Sequence, residues 1–138
     1  MVQRNFEKKD DIGTEKSIRY CLVMEDEEGG SLLEEIRNEK KYSKEEILRI
    51  IQDITSGLYY LLSKGLVHRD IKPHNILKSK EGRMKLCDFE FLKEIDQTTH
   101  TTLVGHHGYM TPEFDFKNGK YTEKIDIWSL GMTLLQLL

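Results

Sequence analysis

The sequence predicts an α+β domain, mainly helical with one small β-hairpin. Three observations carry this expectation: two capping boxes that each open an apolar pattern of helical period, two short apolar runs flanking a turn, and an apolar helix at the end of the chain. Taken in order, residues 17–24 mix β-branched, aromatic and apolar side chains, then meet an acidic run at 25–28 closed by Gly29 and Gly30. That is a strand running into a loop. Ser31 followed three residues later by Glu34 forms a capping box ahead of Leu32, Leu33 and Ile36, so a short helix starts there. Ser43 with Glu46 opens a longer one, with Ile47, Ile50, Ile51, Ile54, Leu58, Leu61 and Leu62 recurring every three to four residues and Gly65 suited to its C-terminal cap. The runs 75–77 and 84–87, separated by Lys80, Glu81 and Gly82, read as the hairpin. Beyond Asp88 a stretch with clustered threonines and little periodicity extends to Lys120 and reads as a long exposed loop. Finally, Asp126 is expected to cap a helix carrying Ile127, Trp128, Leu130, Leu134, Leu137 and Leu138. Its apolar pattern is still running at the last residue, so the sequence reads as one cut off at its C-terminus.

Composition narrows the function classes. With 138 residues the chain can bury one core. Lys plus Arg total 21 against 24 Asp plus Glu, so no basic excess is available for a phosphate backbone and nucleic acid is not the expected ligand. Cys21 and Cys87 stand singly, without CxxC spacing, which points away from a disulfide framework or a zinc site and toward a reducing, cytoplasmic compartment. No apolar run reaches the roughly 20 residues that span a bilayer, and the polar start is wrong for a signal peptide, so a membrane is not expected as a partner. His100, His106 and His107 lack the arrangement of a metal-ligand set.

The sharpest segment is His68, Arg69, Asp70, Ile71, Lys72, Pro73, His74, Asn75, followed after the hairpin by Asp88 and Phe89. It collects what phosphoryl transfer needs: a carboxylate to orient a hydroxyl and accept its proton, a lysine to balance phosphate charge, and two oxygen ligands for magnesium. Each residue also has a plainer reading. Asp70 and Asn75 are common turn residues, Asp88 could be an ordinary strand-end carboxylate, and His68 and Cys87 suit a core. The acidic run at 25–28 reads as a solvated loop, although its carboxylates could favour basic peptides.

In this order and spacing the motif resembles the protein kinase family of the serine/threonine type, over roughly residues 17–138, with 1–16 left as a polar N-terminal segment. The resemblance implies a partial catalytic domain from the hinge to the start of the large C-lobe helix, with most of the N-terminal lobe missing. It implies ATP and Mg2+ as cofactors and a protein carrying Ser or Thr as substrate. Met24 would stand at the gatekeeper position, backbone groups of Glu25 and Glu27 would meet the adenine, and Leu77 would lie beneath it. Asp70 and Lys72 would be the catalytic aspartate and lysine, and Asn75 and Asp88 the metal ligands. His68 would pack with Phe89. Residues 105–113 are similar to the segment ending in the family's Ala-Pro-Glu. Thr102 aligns with the usual phosphorylation position, and Arg69 is the guanidinium expected to receive that phosphate.

Three departures qualify this. Residues 1–16 hold a single glycine, Gly13, and offer neither a glycine-rich phosphate loop nor a strand lysine, so negligible activity is expected of this chain alone. Glu90 follows Phe89 where the family has glycine, which is expected to strain the backbone by roughly 1 to 3 kcal/mol. His106 stands where the family places a threonine near the catalytic aspartate. An alternative is therefore a pseudokinase-like binding or scaffold module, and another is an incomplete product that folds poorly.

Overall fold

Both capping boxes form. Ser31 Oγ accepts from the Glu34 N–H at 3.3 Å while the Ser31 N–H donates to Glu34 Oε2 at 3.0 Å, and Ser43 with Glu46 repeats the exchange at 3.2 and 2.8 Å. These bonds satisfy amide donors that a first helical turn leaves without partners. The helices that follow are α1, Leu32–Arg37, and α2, Lys44–Ser63. The computed structural model describes residues 2–7, 18–23, 25, 27–95, 107–112 and 122–138. Its strands are β1, Val2–Glu7; β2, Ile18–Val23; β3, Leu66–Val67; β4, Ile76–Lys78; β5, Met84–Leu86; and β6, Lys93–Glu94. The last helix, α3, covers Lys124–Leu134, and 3-10 turns occupy Pro73–Asn75, His107–Tyr109 and Leu135–Leu137.

The core is built on α2. Ile50, Ile54 and Leu58 recur on one stripe and meet Leu32 of α1, Ile71 ahead of the hairpin, Ile76 and Met84 within it, and Leu130 and Leu137 from the C-terminal elements. Leu62, expected on the same stripe, lies largely in solvent. Gly65 takes φ +70 just past the α2 cap, as a C-terminal glycine does. The hairpin pairs Ile76 with Leu86, Leu77 with Lys85 and Lys78 with Met84. It is clipped to α2 by the buried Asp53, whose carboxylate accepts from the Met84 N–H at 2.9 Å and pairs with Arg83 at 2.5 Å. Close packing at the same place leaves a Cβ on Gly57 only 3.1 Å from Leu86 Cδ1.

Four features depart from expectation. The polar start contains β1, paired antiparallel with β2 from Val2 opposite Val23 to Glu7 opposite Ile18; such a ladder is made by backbone groups and needs no apolar composition to exist. Within the stretch after Asp88, β6 pairs with β3, Leu66 opposite Glu94 and Val67 opposite Lys93. Asp126 does not cap α3, which begins two residues earlier with no side-chain cap bond from Glu123. The acidic run is not simply solvated: the Glu27 side chain is only 8% exposed and is tied to Lys85. On α3, Leu130 faces the core while Ile127 and Trp128 are exposed. Among the described residues no helix is long and apolar enough to cross a membrane.

Candidate active site

The segment 68–75 is irregular, and the structure shows what holds it. Arg69 adopts φ +69, an uncommon region for a residue with a Cβ. The turn is fixed from below by Asp126, whose two carboxylate oxygens accept the N–H groups of His68 and Arg69, each at 2.8 Å. Ile71 is sunk in the core beside it. Pro73 then opens a 3-10 turn, where its missing N–H costs nothing, and the Asn75 N–H donates to the Lys72 carbonyl at 2.9 Å.

These anchors bring three polar side chains together in a nearly buried cluster. Lys72 Nζ lies 2.7 Å from Asp70 Oδ2, and the Asn75 amide donates to the same oxygen at 2.8 Å and to the Asp70 carbonyl at 2.9 Å. The Asp70 and Lys72 side chains are 2% and 11% exposed. A pair so covered survives only with good geometry and extra hydrogen bonds, and the Asn75 amide supplies them.

Asp88 is delivered to the same end by the hairpin. The Cys87 N–H donates to the Asn75 carbonyl at 3.0 Å, which sets the following residue beside the 3-10 turn. Asp88 has φ +59 and an exposed side chain, and one of its oxygens accepts from the Glu90 N–H at 3.4 Å. The positive φ therefore falls on Asp88 and not on Glu90, so the strain expected at Glu90 is absent. His68 is wholly buried, with its ring 5.2 Å from that of Phe89 at 54°, as expected of a packed histidine. Its Nε2–H donates to the Cys87 carbonyl at 3.1 Å, while its Nδ1 has no partner.

Burial sets the protonation here. It pushes His68 below the usual imidazole range despite the opposing pull of the Asp126 carboxylate, so the ring is neutral at neutral pH. The Asp126 carboxyl is pushed up by its own burial, and the two amide bonds only partly offset this. Burial, with Asp88 nearby, also raises the Cys87 thiol, which is thus a poor nucleophile.

Around the cluster, Leu77 is half-buried on β4 and forms an isolated bridge with Ser31. Glu25 and Glu27 both pair with Lys85 of β5, at 3.1 and 2.5 Å. Gly29 runs so close to β4 that a Cβ would overlap the Lys78 carbonyl. Arg69 Nε donates to the Phe91 carbonyl at 2.6 Å, tying the turn to the segment that leaves Asp88. Farther on, Ser129 Oγ donates to the Tyr109 carbonyl at 2.8 Å and Gln136 Nε2 to Tyr109 Oη at 2.7 Å, which fixes residues 107–109 against the C-terminal elements. Met24, Thr102 and His106 lie outside the described residues.

The structure thus joins Asp70, Lys72 and Asn75 directly, sets Asp88 next to them through the backbone, and gathers Glu25, Glu27 and Leu77 around the hairpin. Sequence reasoning missed Asp126 as the anchor of the turn and Lys85 as the tie to residues 25 and 27. A carboxylate near a helix start signals a cap by default, and a lysine on a short strand carries no local signal.

The protein kinase domain matches residues 9–138. Serine/threonine-protein kinase shk1/pak1 of Schizosaccharomyces pombe is 42% identical over 118 residues, 84% of this chain and 18% of that protein. Serine/threonine-protein kinase STE20 of Eremothecium gossypii is 39% identical over 119 residues, 85% of this chain and 12% of that protein. Aurora kinase of Schizosaccharomyces pombe is 37% identical over 120 residues, 87% of this chain and 34% of that protein. The chain spans between 12% and 34% of the length of these relatives. By the reach of the domain match along its sequence, the chain belongs to the protein kinase domain family.

Proposed function

We propose that this chain provides the nucleotide- and substrate-facing part of a serine/threonine protein kinase, which transfers the terminal phosphoryl group of ATP to a protein hydroxyl. The observation that carries this reading is the Asp70, Lys72 and Asn75 cluster, a carboxylate held between an ammonium and an amide. In this reading Asp70 orients the substrate hydroxyl and accepts its proton, and Lys72 balances charge on the phosphoryl oxygens.

The residues fit a magnesium ion. Because the Asn75 amide nitrogen is spent on Asp70, its Oδ1 remains as a hard oxygen donor, and the exposed Asp88 carboxylate is a second one beside it. Oxygen ligands few in number, completed by phosphate and water, are what Mg2+ prefers. When bound, the ion supplies charge neutralisation along the triphosphate. Backbone groups of Glu25 and Glu27 meet the adenine, with Leu77 beneath the ring, and by the family resemblance Met24 is the gatekeeper. Arg69, already tied to the Phe91 carbonyl, receives a phosphate on Thr102 and so links modification of that threonine to the turn that carries Asp70.

The alternative of a non-catalytic binding module loses one of its supports, since Glu90 sits without a positive φ. Calorimetric titration with ATP, with and without Mg2+, tests the catalytic reading. The expected result is Mg2+-dependent binding that Asp88→Asn weakens about tenfold or more through loss of a charged ligand. ATP binding with no Mg2+ dependence, or none at all, contradicts it.

A further inference from the structure

We propose that Lys85 is a positioning residue for the nucleotide: it clamps residues 25 and 27 to the hairpin and so sets the gap that the base enters. The inference rests on the placement of the base between the backbone at 25 and 27 and the side chain of Leu77.

Lys85 is the direct cross-strand partner of Leu77, and such partners project from the same face of an antiparallel pair. From there its ammonium reaches Glu25 at 3.1 Å and Glu27 at 2.5 Å. The Glu27 side chain is 8% exposed, and a carboxylate so covered needs a hydrogen-bonded partner of opposite charge. Lys85 supplies it. A second attachment lies at the other end of the segment, where the Gly29 N–H donates to the Lys78 carbonyl at 3.1 Å and the Lys78 N–H to the Gly30 carbonyl at 2.9 Å. Residues 25 and 27 are thus held by Lys85 and residues 29 and 30 by the Lys78 backbone, with an exposed pair of Glu28 with Lys80, at 3.9 Å, between these two points. With the Lys85 attachment gone, the exposed pair of Glu28 with Lys80 contributes little, so the segment pivots on its glycine attachment and the gap above Leu77 is no longer fixed. The Lys85 side chain therefore acts on the base through residues 25 and 27 and makes no bond to the nucleotide itself.

Adenosine, an uncharged ligand, separates this from direct electrostatics. Its affinity and that of Mg2+–ATP would be measured calorimetrically for the 138-residue chain and for Lys85→Met and Lys85→Arg. Lys85→Met is expected to weaken both ligands about 3- to 10-fold, while Lys85→Arg stays within about twofold. Raising salt from about 0.05 to about 0.5 M is expected to weaken adenosine binding to the parent and to leave the Lys85→Met variant unaffected. A loss confined to ATP would mean a direct phosphate contact and would overturn the proposal. A lower melting temperature with unchanged adenosine affinity would mean a merely structural lysine and would overturn it too. If the parent binds neither ligand, the nucleotide reading itself fails, an outcome distinct from a parent and a Lys85→Met variant that bind equally well.

Discussion

Asp126→Ala takes the acceptor from two backbone N–H groups at once. Asp126 is 5% exposed, and its carboxylate oxygens stand 2.8 Å from the His68 and Arg69 amides. A hydrogen bond to a charged group contributes about 1.5–3 kcal/mol, and a buried donor left unmet costs about 1–3 kcal/mol. Part of this is returned, because burial disfavours the ionised carboxylate and pushes the Asp126 carboxyl up. We expect a net loss of about 2–4 kcal/mol for Asp126→Ala and about 1–2 kcal/mol for Asp126→Asn, which keeps one acceptor. Against a total of about 5–15 kcal/mol, both variants should still fold. Urea unfolding gives the magnitudes. Hydrogen exchange adds the location: faster exchange at residues 68–70, with the first turn of α3 unchanged. The reasoning is refuted if both variants lie within about 0.5 kcal/mol of the parent. It is refuted equally if exchange rises in α3 instead, since that is the signature of a helix cap.

Three further outcomes follow. Gly29→Ala puts a Cβ into the Lys78 carbonyl and 2.9 Å from the Lys78 Cβ, so a loss of about 1–3 kcal/mol is expected in urea unfolding; a neutral result would mean that β4 yields. The neutral, buried His68 makes folding pH-dependent: the unfolded ring takes up a proton near pH 6.5 and the folded one resists it, so stability falls as pH drops below that value. His68→Phe should remove this component between about pH 7.5 and 5.5, and an unchanged pH profile would contradict the assignment. Glu35 is drawn up by partial burial, but bonds from Lys78, Lys40 and Tyr42 outweigh this and hold its carboxyl below the usual range. Its contribution is therefore present above about pH 4.5 and lost as pH falls through the lower, folded value, so the advantage of the parent over Glu35→Gln should shrink in acid unfolding. An advantage that grows on acidification would reverse the sign.

What was legible in the sequence is what local chemistry specifies. The capping boxes at Ser31 and Ser43, the α2 stripe and the 76–86 hairpin announce themselves because each is written in neighbouring residues. The run from His68 to Asn75 was legible for the same reason, whereas the packing of His68 with Phe89 came only from the family resemblance that this run carries. What escaped depends on partners distant in the chain. β6 is two residues long and exists only through β3, and β1 is a polar strand defined by its ladder with β2. Asp126 spends its carboxylate on residues 68 and 69 and not on its own helix, a choice that the composition around it does not reveal. At Glu90 the expectation of strain failed because the unusual φ belongs to Asp88, whose own backbone makes the bend. The acidic run escaped because its counter-charge, Lys85, arrives on a different element.

The central claim is that Asp70, Lys72, Asn75 and Asp88 meet around one divalent ion and a triphosphate. Manganese is a paramagnetic substitute for magnesium with the same taste for oxygen donors, so adding Mn2+ with ATP to the isotope-labelled chain and recording amide spectra tests this directly. Strong, ATP-dependent broadening is expected at residues 70, 75 and 88, falling off toward the far end of α3. Broadening centred elsewhere, or equal with and without ATP, would contradict the account.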